Sequence, residues 1–190
     1  MPFDLAKRYG ADTVLFASND RNLDAAVAAA RARRASYGIW VPAGDGPAQP
    51  SGYALYLGML WRRYEPEIVV ANIEARGKGE PGSPGWAWNR RAARALARAA
   101  PGIDVGIAVL PDQTDFNYDA WRRNGATVFL PEAFGADPRV DRYDPAAVVE
   151  TVVRQGIPRS MIEPLLAPGQ RYNGPASLYT LDDLPPALTP

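Results

Sequence analysis

Apolar and polar positions along this chain fall into alternating blocks, and three of the apolar blocks end on a carboxylate. These are residues 68–74 (IVVANIE), 105–112 (VGIAVLPD) and 127–132 (TVFLPE). Short apolar runs of this kind read as strands buried on both faces, the form that parallel sheets take. Two earlier runs, 13–17 (TVLFA) and 37–42 (YGIWVP), read the same way. Residues 161–167 (MIEPLLA) predict a sixth strand, and 177–180 (SLYT) a short seventh or a helical turn.

Helical patterns fill the gaps. A short lead over 3–9 precedes the first strand. An alanine-rich helix over 23–34 follows it, with Asn19, Asp20 and Asn22 as capping candidates and Arg31, Arg33 and Arg34 toward the negative end of its dipole. A helix over 52–64 stops at Glu65-Pro66, because the residue before proline disfavours helical geometry. A glycine-rich loop over 76–85 leads into a helix over 86–100, ended by Pro101-Gly102. A short helix over 118–123 precedes the fifth strand. Asp144-Pro145 supplies a cap and an N1 proline for the next helix, which Gly156 closes.

Strand–helix alternation from end to end predicts parallel strands joined by right-handed crossovers, within one domain over 1–190 that carries a proline-rich tail at 184–190. Two architectures satisfy this: an open doubly wound sheet, or a (β/α) barrel. Facing separates them. Ile68, Val70, Asn72 and Glu74 share one side of their strand, whereas Val69, Ala71, Ile73 and Ala75 share the other. Gly106, Ala108, Leu110 and Asp112 form a second such series, and Val128, Leu130 and Glu132 a third. Three strands turning polar on one face at the same end describe a barrel interior approaching its mouth. An eight-unit barrel needs about 250 residues, so 190 predict an α/β fold of the compact or incomplete TIM-like type, with six to eight parallel strands and outer helices.

Composition then removes chemistry. The chain has no histidine and no cysteine. Ser-His-Asp hydrolysis, thiolate nucleophiles, disulfides and the usual zinc sites are excluded. Lys+Arg and Asp+Glu stand at 21 each, so no net field recruits nucleic acid or an anionic membrane. Residues 1–10 lack a signal-peptide core, and no apolar run reaches the roughly 20 residues of a membrane span. The loop GKGEPGSPG has neither the Walker nor the dinucleotide glycine spacing, which disfavours nucleotides and leaves it as a flap or a solvated loop. Arg90, Arg91, Arg94 and Arg98 form a basic stripe, whose usual meaning is a solvated helix face.

What remains is carboxylate chemistry at the strand ends, where α/β barrels place their active sites. Two facing acids divide the work of glycoside cleavage without histidine: one protonates the leaving oxygen, the other attacks or activates water. Glu74 ranks first as general acid. Glu132 follows as base or nucleophile, and Asp112 third, because its loop also suits turn chemistry. Asn72 and Arg76 are candidates to orient Glu74 or hold a substrate hydroxyl. Trp40, Trp86, Trp88 and Phe134 are candidates to stack on sugar rings, while Trp61 and Trp121, inside helices, read as packing residues. The same acids could hold magnesium or calcium, but no calcium-loop spacing is present, so neither a metal nor a cofactor is expected.

The strand ending Asn72-Ile73-Glu74, the strand ending LPEAFG at 130–135, the GIPR turn at 156–159 and the late SLYT with Asp182 and Asp183 together resemble phage-encoded glycoside-hydrolase-like barrels of the lysozyme type. The resemblance runs from residue 37 to 179. It implies a bacteriophage protein acting on host cell-wall or surface glycan, located in the virion or in the host cytoplasm during assembly. Such barrels end a central strand with an Asp-x-Glu pair, and Asn72 stands where that Asp is expected. The resemblance therefore also implies an alternative, a non-catalytic tail or capsid-associated subunit that contacts other virion proteins.

Overall fold

A computed structural model describes residues 13–43, 48–73, 78–111, 115–134, 142–167 and 170–178. The described elements run β1 (Thr13–Ala17), α1 (Leu23–Arg33), β2 (Ser36–Pro42), α2 (Pro50–Tyr64), β3 (Ile68–Asn72), α3 (Pro84–Ala99), β4 (Val105–Val109), α4 (Tyr118–Arg122), β5 (Ala126–Pro131) and α5 (Pro145–Arg154). A 3-10 turn (Arg159–Met161), β6 (Leu165–Leu166) and β7 (Ser177–Leu178) complete them. The first five strands pair in sequence order, every pair parallel. Single bridges from Phe129 to Ile162 and from Glu132 to Leu165 carry that order on to β6, which pairs in parallel with β7.

This order determines the layers. Right-handed crossovers that always step the same way put every helix on one face of the sheet. The bare face must then curl inward to find cover. Two separate apolar clusters record the result. Val69, Ala71, Ile73, Ile107 and Phe129 pack outward with the helices. Val70, Ala108 and Leu130 pack with Leu15, Trp40, Ile68 and Val128 on the opposite, inner face. The architecture is an α/β barrel of the TIM type, incomplete in that no pairing joins β7 to β1 among the described residues.

The curl is tight enough to require glycine inside. A Cβ on Gly38 would lie 2.5 Å from Leu15 Cδ2, 2.7 Å from Ile68 Cγ2 and 2.9 Å from the Ile68 carbonyl oxygen. The carbonyl belongs to the neighbouring strand and cannot move alone. Gly38→Ala is therefore expected to cost about 1–3 kcal/mol by overpacking, read as a lower urea midpoint with an unchanged denaturant slope.

Local chemistry sets most helix ends. Ser83 caps α3 by accepting from the Trp86 N–H at 3.2 Å, with Pro84 at N1, so this helix starts two residues before the expected 86. Asp144 caps α5 by accepting from the Ala146 N–H, again with proline at N1. Glu65 takes φ 46° and donates its N–H to the Trp61 carbonyl, closing α2 before Pro66. The expected strand over 161–167 is mostly not ladder. Pro164 has no N–H to donate, and pairing is confined to Ile162 and to Leu165–Leu166.

Tyr118 opens α4 beneath Phe116 and against Phe129, with ring centroids 4.8 and 5.6 Å away. Burial raises its phenol pKa well above the ordinary value of 10.0. The folded state thus keeps a proton that the unfolded chain gives up. Stability is expected to fall as pH rises past about 10, and Tyr118→Phe should flatten that alkaline limb in a series of thermal midpoints against pH.

Candidate functional site

Among the described residues, buried polar side chains are few: Asn72, Asn89, Asn117 and Glu132. Two of them serve the outer layer. Asn89 accepts from Trp121 Nε1, and Asn117 donates to the Trp86 carbonyl and caps α4. The other two, Asn72 and Glu132, belong to the inward-facing series of β3 and β5, at the carboxyl ends of those strands.

The register fixes how they relate. Asn72 pairs with Ala108, and Ala108 with Leu130. Glu132 stands one inward position beyond Leu130. The two polar residues are thus separated by β4 and by one step along it, about 12 Å between Cα atoms from standard sheet spacings. The β4 residue between them is the small Ala108, fully buried in the inner cluster. Glu132 is held on both sides through its backbone. Its N–H donates to the Val109 carbonyl at 2.9 Å, and it bridges to Leu165, whose carbonyl accepts from Ala133 N–H at 2.8 Å. At 4% exposure its carboxyl group has lost most of its water, a placement that is costly for an acid unless other polar groups answer it.

Three of the residues expected at this rim, Glu74, Arg76 and Asp112, lie outside the described residues. The four candidate aromatics are dispersed. Trp40 is half-buried and packs both on the inner cluster and on Phe134, Leu165 and Ala167, so it stands where the interior meets the mouth. Phe134 is 2% exposed and bridges to Arg142. It packs with Leu165, Ala167 and Trp40. Trp88 lies inside α3 because that helix starts early. Its ring meets Tyr53 of α2 at 5.5 Å and its Nε1 donates to the Ala48 carbonyl, so its contacts are those of a helix anchor. Trp86 is half-buried in the first turn of α3. Trp61 and Trp121 pack into the outer core, as expected for residues inside helices.

Two rim residues were not visible as such in the sequence. Ser18 follows β1 directly and donates its N–H to the Trp40 carbonyl at 2.8 Å. Its buried Oγ has no hydrogen-bond partner among the described residues. The polar run after the first strand is the only sequence signal, and it reads equally well as helix capping. Gln170 clasps the rim: its Nε2 donates to the carbonyls of Ala133 and Tyr143, and its Oε1 accepts from the Ala167 N–H. No pattern in the sequence marks that clasp.

No family model matches the chain, and no curated protein is similar to it in sequence. Among solved structures, its fold is similar to that of an endo-beta-N-acetylglucosaminidase from Cordyceps militaris in the apo form, with a TM-score of 0.53 and 14% identity. The match covers 83% of this chain and 57% of that one, so the chain spans little more than half the length of the enzyme it resembles. At this identity the likeness is one of fold: an α/β barrel of the kind found in a glycoside hydrolase. No helix among the described residues is long and apolar enough to cross a membrane.

Proposed function

We propose that this chain is the glycoside-hydrolase-like barrel of a bacteriophage, which binds or cleaves a host cell-wall or surface carbohydrate with strand-end carboxylates. The observation that carries the reading is Glu132, a buried acid facing inward at the carboxyl end of β5, with the amide of Asn72 facing the same way from β3. Barrels place reactive groups at that end, and the fold shared with an acetylglucosaminidase is consistent with a sugar there. Glu74, two residues after Asn72 on the same strand parity, serves as general acid, with Glu132 or Asp112 as base or nucleophile. Asn72 holds sugar hydroxyls, and Trp40 supplies an apolar wall. Retention of anomeric configuration goes with carboxyls about 5–5.5 Å apart, and inversion with about 6.5–9.5 Å. The test is release of reducing sugar from bacterial cell-wall and surface glycans, with the anomer of the first product read by NMR. Release by wild type and by Glu74→Gln alike would sink the assignment.

A second reading has its own support. Asn72 stands where an acidic pair would begin, and the rim beside it is packed with Trp40, Phe134 and Leu165. On this reading the barrel is a non-catalytic scaffold, a tail or capsid-associated subunit contacting other virion proteins. It requires the protein at fixed stoichiometry in purified particles and no glycan release under any condition.

A further inference from the structure

A net charge of zero hides a sharp local asymmetry. Between them α2 and α3 contain six arginines (62, 63, 90, 91, 94 and 98) and no aspartate or glutamate, in a chain with 21 acids. The two helices pack side by side, close enough that a Cβ on Gly58 would lie 3.2 Å from Ala100 Cβ. Arg63 pairs with Asp24 across to α1, and Arg62 donates to the Ala99 carbonyl at 3.0 Å, which ties it to the foot of α3. Arg90, Arg91, Arg94 and Arg98 are all exposed, and none has an ion-pair partner among the described residues. They stand at spacings of three and four residues, where like charges oppose helix formation. Nothing in the fold requires that arrangement.

The same face carries exposed hydrocarbon. Leu55 is 56% exposed and Met59 45%, two of the three exposed large hydrophobic residues among those described. With Arg62 they occupy positions i, i+4 and i+7 of α2, a single stripe whose lower end touches α3. We propose that the outer face of α2 and α3 is a docking surface for an anionic lipid bilayer.

The pattern selects that occupant. Cations that attract anionic headgroups, beside aliphatic side chains that enter the headgroup boundary, are the two terms of interfacial binding. Duplex DNA fits less well: its phosphates offer nothing to Leu55 and Met59. Single strands would need stacking rings, and the exposed large hydrophobics on this face among the described residues are Leu55 and Met59. A protein partner would be anchored by exposed aromatics, and the exposed large hydrophobics of α2 among the described residues, Leu55 and Met59, are aliphatic. A fluid surface requires neither.

The proposal does not depend on the carbohydrate reading and is tested apart from it. Flotation of the full chain with vesicles of phosphatidylcholine and phosphatidylserine at about 7:3 should show binding that weakens steeply with salt, and none to pure phosphatidylcholine. Each arginine should contribute about fivefold, so R91Q/R94Q/R98Q should lose about a hundredfold. That variant removes like-charge neighbours, so its helix should form at least as well, as circular dichroism would check. L55S/M59S should weaken binding roughly tenfold. No binding at low salt, or binding unchanged in the arginine variant, overturns the proposal. Binding indifferent to L55S/M59S and matched by duplex DNA assigns the face to phosphate polymers instead, and overturns it too.

Discussion

Glu132→Gln is expected to lower glycan release by about 10²–10⁴-fold, with little change in thermal unfolding. Glutamine keeps the size and one acceptor of the side chain, so the inner face at the end of β5 stays filled. The substitution removes the negative charge and the basic oxygen, which is what a base or nucleophile in glycoside cleavage must supply. Position makes the effect specific. The backbone of Glu132 is fixed between β4 and β6 by the bonds to Val109 and Leu165, so the side chain cannot drift toward solvent to escape its surroundings. A wild type that releases sugar and a Glu132→Gln that still does so at full rate would remove Glu132 from the chemistry. A wild type that binds glycan by calorimetry but releases none, with Glu132→Gln binding equally, would favour the scaffold reading.

The facing pattern that led to Glu132 was legible because strand geometry has a period of two. Ile68 and Val70 do share the inner face with Ala108 and Leu130, while Val69, Ala71 and Ile73 meet the helices. That much follows from one strand at a time. What the sequence did not reveal depends on contacts between distant segments. Phe134 follows a strand and looks like a rim aromatic, yet the returning chain at Leu165 and Ala167 covers it. Trp88 reads as a loop-side aromatic when α3 is expected to start at 86; Ser83 and Pro84 move that start, and the ring meets Tyr53 of α2. The Gln170 clasp joins residues 27 and 37 positions apart, with nothing local to announce it. Residues 161–167 carry enough apolar side chains for a strand, but bonds to Phe129 and Glu132 form only where Pro164 permits. Charge placement is hidden in the sequence for a related reason. A total of zero is a property of the chain, whereas the arginines of α2 and α3 share one face only once the helices lie side by side.

Trp121→Ala is expected to be the most destabilising single change in the outer layer, costing about 3–5 kcal/mol. Trp121 is the largest fully buried side chain among the described residues. It sits in α4, a helix of five residues, far below the length at which a helix is stable in water. That helix therefore exists because its side chains are buried, and Trp121 and Tyr118 are the principal ones. The indole also donates to Asn89 Oδ1 at 2.8 Å, while Asn89 Nδ2 donates to the Gly85 carbonyl at 3.3 Å. Removing the ring opens a cavity and deprives a fully buried amide of its donor, so two penalties fall on one site. Trp121→Phe separates them. It retains most of the apolar volume and should cost about 1–3 kcal/mol for the lost donor. For a domain whose total stability is of the order of 5–15 kcal/mol, the alanine variant should be partly unfolded at 37 °C, with amide exchange rising first in α4. An alanine variant within about 1 kcal/mol of wild type by urea denaturation would show that α4 does not depend on this contact. The link it makes from β5 to α3 would then have to be carried elsewhere.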